Sequence, residues 1–391
     1  MSSSLLQDPA MESVIAGFTS VFSRRPSVIS RAPGRLEILG NHTDYNQGTV
    51  LSVAVDRVMR IAAAPNPDAP DGMVCRLFDL NSNSSREFRL DDLDSKKRGD
   101  WANYIKGLIV DMNLRGYKVP AFDAVISGGV PLSAGMSSSA ALEMGMLKVL
   151  DILADARMGW LEMAKVGQAC ENNYVGANTG LMDQLSSLKG VKGQLIHSDF
   201  RSFEVGNIAM PEGTVFVVAN SMVKHNLTNE YNERREACED AARVLGVPAL
   251  RDVTPAMLEA GKDSMSETSY LRAAHVVGEI RRVAEGAQAL ADGNLEAFGA
   301  LMTESHESSR FNFENSCQEV DVLVEIGRTL HGFLGARISG GGFGGITVHL
   351  VRKEAADAYM EALGAEFEKR TGIKSQIMIC EAFDGACAEC I

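Results

Sequence analysis

The chain has 391 residues, of which 45% are hydrophobic and 23% charged, and it carries a net charge of −13. That length exceeds what one hydrophobic core usually serves, so two domains, or one body with a large second lobe, are expected. The acidic balance and the lack of a basic stripe exclude nucleic acid and anionic membrane surfaces as partners, and the composition is that of an ordinary soluble globular enzyme.

Ser27 to Val58 alternates apolar and turn-rich stretches, which predicts a strand, a polar loop and a second strand. Met59 to Ala64, Val74 to Phe78 and Ser85 to Leu90 read as further strands, with NPDAPDG as a turn. The spacing predicts helices over 100–115, 139–155 and 161–174, and a strand over 121–130 that feeds a serine-rich loop. Strands over 214–220 and 345–351 follow, with amphipathic helices over 270–290 and 354–370. No linker marks a boundary. The shift to helical patterns places it near residue 205, giving domains 1–205 and 206–391.

No apolar run approaches the ~20 residues that cross a bilayer, and the N-terminus lacks the regions of a secretion signal. Seven scattered cysteines fit reduced thiols, so a cytoplasmic protein is expected. Cys387 and Cys390 form one CxxC pair without a second pair or a nearby histidine, which reads as incidental thiols.

Residues 131–143, PLSAGMSSSAALE, place a glycine and four serines ahead of a helix. Such a loop presents N–H groups and hydroxyls to an anion, and the helix dipole points its positive end at the same place. No lysine or arginine lies between Pro131 and Lys148, so this is not a P-loop, and charge neutralisation must come from Mg²⁺ and from residues elsewhere. Two further loops stand far away in sequence: PGRLEILGNHTDYN at 33–46 and SGGGFGG at 339–345.

In order and spacing these three motifs resemble those of the small-molecule kinases named for galactokinase, homoserine kinase, mevalonate kinase and phosphomevalonate kinase. HTDYN is similar to the galactokinase form. WANYIKG at 101–107, GLMDQLSS at 180–187, NEYNERREACEDAA at 229–242, ESHESSR from Glu304, SCQEVDVLVE from Ser316 and DGA at 384–386 extend the resemblance over nearly the whole chain. It implies a two-lobed α/β (α+β) fold. The N-terminal lobe would be like the second domain of ribosomal protein S5, the C-terminal lobe ferredoxin-like, and the active site would lie in the cleft between them. The implied activity is ATP-dependent phosphorylation of the anomeric hydroxyl of galactose. Sugar and ATP are then the partners, and a monomer is the expectation.

The resemblance also implies roles for particular residues. Asp183 matches the catalytic aspartate, which binds the anomeric hydroxyl and either removes its proton or positions it. Arg35 matches the arginine beside it, whose fork stabilises the carboxylate and the phosphate oxygens. The triphosphate is expected over Gly135, Met136, Ser137, Ser138 and Ser139, with Trp101 against the adenine. Ser139 and Glu171 match the Mg²⁺ ligands, with Ser138 as the alternative, since Mg²⁺ takes few protein oxygens and keeps several waters. Asn41, His42, Asp44, Gly180, Asp183 and Tyr231 match the positions that contact the sugar. The glycines of SGGGFGG are expected to let backbone approach closely and support the first motif.

One departure stands out in the first motif. Glu37 occupies the position where the family carries asparagine, and Asn41 the position of the glutamate that binds the C6 hydroxyl. If the two side chains are neighbours, the site keeps one carboxylate and one amide. If they are not, a uronic acid such as galacturonate, or another modified hexose, becomes the alternative substrate. A non-catalytic sugar and nucleotide sensor is the remaining reading, and the intact Arg35, Asp183 and Ser139 argue against it.

Overall fold

A computed structural model describes residues 5–131, 135–223 and 228–391; Leu132, Ser133 and Ala134 of the serine-rich loop lie outside the described residues. Helix α1 (Pro9–Phe22) starts where the Asp8 carboxylate accepts the Ala10 N–H and proline fills the first turn. Its Met11, Val14 and Phe18 pack on Ile29, Ala62 and Val125 of the first sheet.

That sheet opens with β1 (Val28–Leu39) and β2 (Thr49–Pro65), a long antiparallel pair. The sequence suggests a separate strand from Met59, whereas β2 runs unbroken through it. Its register with β1 slips between Pro33 and Arg35, opposite residues 55–57, and this irregularity mimics a strand end in the sequence. Such a slip re-aims the side chain beside it, here Arg35.

Next come β3 (Val74–Asp79), β4 (Ser84–Arg89), α2 (Ala102–Leu114), β5 (Phe122–Gly128), α3 (Ser138–Leu153), α4 (Trp160–Ala169) and α5 (Met182–Lys189). A π-helical turn, Cys170–Val175, extends α4 and carries Glu171. Then β6 (Gln194–Asp199) pairs with the start of β2, and β7 (Val205–Ala209) pairs with β6. α3 packs on β1 and β2, where its near-continuous apolar surface is buried.

The second sheet has the order β11-β8-β10-β9 and is antiparallel throughout. Its elements are β8 (Thr214–Asn220), α6 (Thr228–Val244), α7 (Pro255–Gly261), α8 (Glu267–Ala291), α9 (Leu295–Ser308), α10 (Gln318–Gly327), β9 (Phe333–Ser339), β10 (Ile346–Arg352), α11 (Ala356–Thr371) and β11 (Gln376–Cys380). The final strand, β12 (Cys387–Cys390), returns to the first sheet and pairs with β1. Around 205 the chain is still in the first sheet, since β7 ends at Ala209. One core runs between the sheets, joining Leu36 and Leu51 to Phe216, Val283, Phe298 and Ile346. Among the described residues no helix is long and apolar enough to cross a membrane, and all seven cysteines are free.

Candidate active site

The loop after β1 is closed by its own side chains. Thr43 Oγ1 donates to the carbonyls of Gly40 and Thr49 at 2.8 and 2.7 Å, and Asn46 Nδ2 donates to the His42 carbonyl at 2.8 Å. Gly40 has φ +98°, and a Cβ there would come within 2.5 Å of the Thr49 carbonyl, so only glycine fits the turn. His42 follows at φ 60°. Its Nε2 lies 3.3 Å from the Gly341 carbonyl and its Nδ1 2.9 Å from the Tyr45 hydroxyl. Burial pushes the imidazole down to about 3. It is therefore neutral, with Nε2 donating to the carbonyl and Nδ1 accepting from the tyrosine. The Tyr231 and Phe313 rings pack against it.

The segment that leads into α5 packs on this loop, and the two line one cavity of about 390 Å³. Asp44 accepts from the backbone N–H of Tyr45 at 2.9 Å and of Met182 at 3.3 Å. Gly180 touches it so closely that a Cβ would sit 1.6 Å from the carboxylate. Burial raises the Asp44 carboxyl to about 6, and the nearby Asp183 adds to the rise.

Asp183 lies in the first turn of α5, where a helix N-terminus favours negative charge. Arg35 grips it with Nε to Oδ1 at 2.7 Å and Nη2 to Oδ2 at 2.8 Å. The third arm of the guanidinium donates to the Gly135 carbonyl at 2.5 Å, at the edge of the serine-rich loop. Ser137, left-handed at φ 54°, gives its hydroxyl to Asp183 instead of capping α3. Glu171, Ser138 and Ser139 line the same cavity. Burial, reinforced by Asp183, raises Glu171, while hydrogen bonds from Thr179, Ser139 and Gln184 pull it back. The donors present suit a hard cation: a serine hydroxyl and a buried carboxylate, with Glu143 Oε1 and Gln184 Oε1 behind them lacking a partner among the described residues.

Glu37 and Asn41 are neighbours. Asn41 Nδ2 lies 3.1 Å from both oxygens of Glu37 and 3.0 Å from the Gly340 carbonyl. The Gly340 N–H donates back to Glu37 Oε2 at 3.2 Å. Asn41 Oδ1 accepts from Asn315 Nδ2 at 3.0 Å and from Ser309 Oγ at 3.4 Å. Beneath them Glu279 of α8 takes the backbone N–H groups of Gly40 and Asn41 at 2.9 and 2.8 Å, the Ser305 hydroxyl at 3.0 Å and Arg282 Nε at 2.5 Å. Burial alone would raise that carboxyl, yet the Arg282 and Arg337 guanidiniums hold it well below the ordinary range.

Arg35, Asn41, His42, Asp44, Gly135, Ser137, Ser138, Ser139, Glu171, Gly180, Asp183 and Tyr231 thus meet around one cavity. Two expected residues lie off it. Met136 is fully buried and contributes only its carbonyl, which accepts the Arg35 backbone N–H. Trp101 stands at the start of α2 under the Arg86 guanidinium, and Tyr104, one turn further on, lines the cavity instead. The sequence reading also missed Glu279, Arg337 and Asn315. A signal existed for the first: His275, Glu279 and Arg282 fall at i, i+4 and i+7, on the buried face of α8.

Three family models match the chain: the galactokinase galactose-binding signature over residues 16–65, the GHMP kinases N terminal domain over 103–191 and the GHMP kinases C terminal over 287–369. The chain is 40% identical over 363 residues to the galactokinase of Actinobacillus pleuropneumoniae serotype 3 (strain JL03), covering 90% of this chain and 93% of that one. It is 38% identical over 360 residues to the galactokinase of Glaesserella parasuis serovar 5 (strain SH0165), with the same coverage of 90% and 93%. Among solved structures it is similar to Lactococcus lactis galactokinase complexed with galactose, with a TM-score of 0.92 and 30% identity over 96% of this chain and 99% of that one. Its likeness to Methanococcus jannaschii mevalonate kinase, TM-score 0.62 at 18% identity over 92% and 99% of the two chains, is one of fold alone.

Proposed function

The chain belongs to the galactokinase family of GHMP kinases, and on that premise we propose that its cavity transfers the γ-phosphoryl group of ATP to the anomeric hydroxyl of galactose. The bidentate Arg35–Asp183 pair beside the serine-rich loop carries this reading. Phosphoryl transfer needs a hydroxyl held in line with the γ-phosphate and positive charge on the transferring oxygens. Asp183 is fixed by two guanidinium N–H groups and the Ser137 hydroxyl, so it accepts or orients the sugar's hydroxyl proton without moving. Arg35 spans the carboxylate and the Gly135 carbonyl, which puts its charge where the phosphate would lie.

The start of α3 offers Ser138, Ser139 and the helix dipole to the phosphates. Ser139 and Glu171 would hold Mg²⁺, which when bound neutralises charge on the β- and γ-phosphates. Asp44, with the Gly180 backbone packed on its carboxylate, is positioned to accept from two ring hydroxyls. His42 and Tyr231 wall the site. Because Glu37 lies against Asn41, a carboxylate occupies this corner as it does in the family. An acid substituent on the sugar would meet it, which favours galactose over a uronic acid. Free thiols and the net charge of −13 favour a cytoplasmic monomer. We divide its lobes near 205, into 1–205 and 206–391; β7 and β12, which extend beyond that point in sequence, are contributed back to the first sheet.

Sugar-dependent ADP release with galactose, galacturonate, N-acetylgalactosamine and glucose, in ATP and Mg²⁺, tests the assignment. Galactose is expected to give the highest kcat/KM. An equal value for another sugar, or no release with any, would overturn it.

A further inference from the structure

We propose that Glu37, and not Asn41, is the side chain in this corner of the cavity that accepts a hydroxyl of the sugar. The inference rests on reading the cavity as a sugar kinase site. Both residues line it, but their free valences differ.

A side-chain amide has two N–H groups and two acceptor lone pairs. Asn41 has spent all four within the protein: its N–H groups on Glu37 and the Gly340 carbonyl, its oxygen on Asn315 and Ser309. Nothing is left for a ligand. Glu37 has the opposite accounting. An ionised carboxylate offers about four acceptor sites. Among the described residues, Oε2 receives the Gly340 N–H and a share of the Asn41 amide, while Oε1 receives only the other share. The nearest guanidinium, Arg337 Nη1, stands 4.0 Å from Oε1. A buried carboxylate short of donors is costly, and Glu37 lines the cavity, from which a ligand could supply one.

The exchange of residue types follows the same logic. The Gly340 peptide shows an N–H to position 37 and a carbonyl to position 41, so an acceptor suits the first and a donor the second. A glutamate at 37 and an amide at 41 satisfy both, and the carboxylate remains at the sugar. Among the described residues the charges that weigh most on Glu37 are Arg337 from β9, Arg35 from β1 and Asp44 from the loop after β1. Burial outweighs the two arginines and raises Glu37 to about 7. A hydroxyl donating to it would favour the ionised form.

The competing role is a structural clamp on Gly340 that never meets substrate. A cycle between protein and sugar separates them. kcat and KM are measured for wild type and Glu37→Gln with galactose and its 2-, 3-, 4- and 6-deoxy derivatives. The variant is expected to raise the galactose KM by about tenfold or more, with kcat within about threefold. For one deoxy sugar the variant should cost little or nothing further, because the hydroxyl that Glu37 reads is already gone. An equal loss for galactose and every deoxy sugar would leave Glu37 a clamp and overturn the proposal. A wild-type enzyme that does not phosphorylate galactose would instead defeat the underlying reading. Should Glu37→Gln not fold, Glu37→Asp serves the same cycle, since it keeps the charge and ends one methylene short.

Discussion

Asp183 keeps about one-fifth of its side chain open to the cavity although three donors converge on it. Its charge is thereby held ready without being sealed off. Asp183→Asn preserves the shape but turns an amide NH₂ toward the Arg35 fork, removing both the charge and the proton acceptor. We expect kcat to fall by about 10² or more. Near-native ADP release by a folded variant would show that the carboxylate does not act on the proton. The two sugar-side acids make a second prediction. Glu37 and Asp44 are raised by burial to about 7 and about 6, so both are ionised at pH 8 and both protonated near pH 5. Each protonation replaces an acceptor with a donor. Galactose affinity, measured by calorimetry, should therefore weaken as pH falls through this window, and an unchanged affinity would mean that neither carboxylate accepts from the sugar. The exchange at 37 and 41 yields a third. Asn41→Glu places a second carboxylate against Glu37 and faces the Gly340 carbonyl with an acceptor, so the galactose KM should rise by about tenfold or more. Adding Glu37→Asn removes the like charge and should recover part of the loss; a double variant as poor as the single would show that the two positions are not coupled.

At the scale of elements, the segment after β1 is held by a helix residue that lies more than 230 residues away in sequence. Glu279 of α8 satisfies two consecutive backbone N–H groups of that segment while its charge is balanced by Arg282 and Arg337. Glu279→Ala strands both guanidiniums and both amides, and breaking a buried pair in this way costs about 3 kcal/mol or more. Urea unfolding would read the loss, and a variant within about 1 kcal/mol of wild type would show the network to be dispensable. The sequence reveals α8 as a helix but not this role, because hydrophobic periodicity reports which face is buried and says nothing about the partner. His275, Glu279 and Arg282 on the buried face are the trace it leaves. Regular elements were legible for the same reason: β8 spans 214–220, as the apolar run TVFVVAN predicts. The irregular ones were not. β12 is four residues long and owes its conformation to pairing with β1, and the slip near Arg35 depends on β2. Within the site, residues in contiguous motifs could be read from sequence, and Tyr104 sits in one of them, WANYIKG, whereas Asn315 and Arg337 are brought in by tertiary packing.

For the whole molecule the telling feature is the path of the last residues. After β11 the chain crosses back to the first sheet and runs along α5, the helix that carries Asp183. The Phe383 N–H donates to the Ala54 carbonyl at 2.9 Å, Gly385 to Gly190 at 2.9 Å and Ala386 to Ser187 at 2.8 Å. The last of these satisfies a carbonyl at the C-terminal end of α5, which otherwise has no helical partner. Close approach is essential, since a Cβ on Gly385 would come within 2.3 Å of the Leu188 carbonyl. β12 then covers the edge of β1, the strand that holds Arg35. Both members of the Arg35–Asp183 pair are thus supported by one segment of the second half of the chain. Deleting residues 383–391 should bare the β1 edge and loosen α5 together. We expect the melting temperature to fall by about 5 °C or more and kcat to fall further than the galactose affinity does, because the loss falls on the alignment of the pair. Gly385→Ala disturbs the same contact without shortening the chain and should produce a smaller change of the same pattern. If both variants kept full turnover, the return of the chain to the first sheet would have no part in holding the catalytic pair.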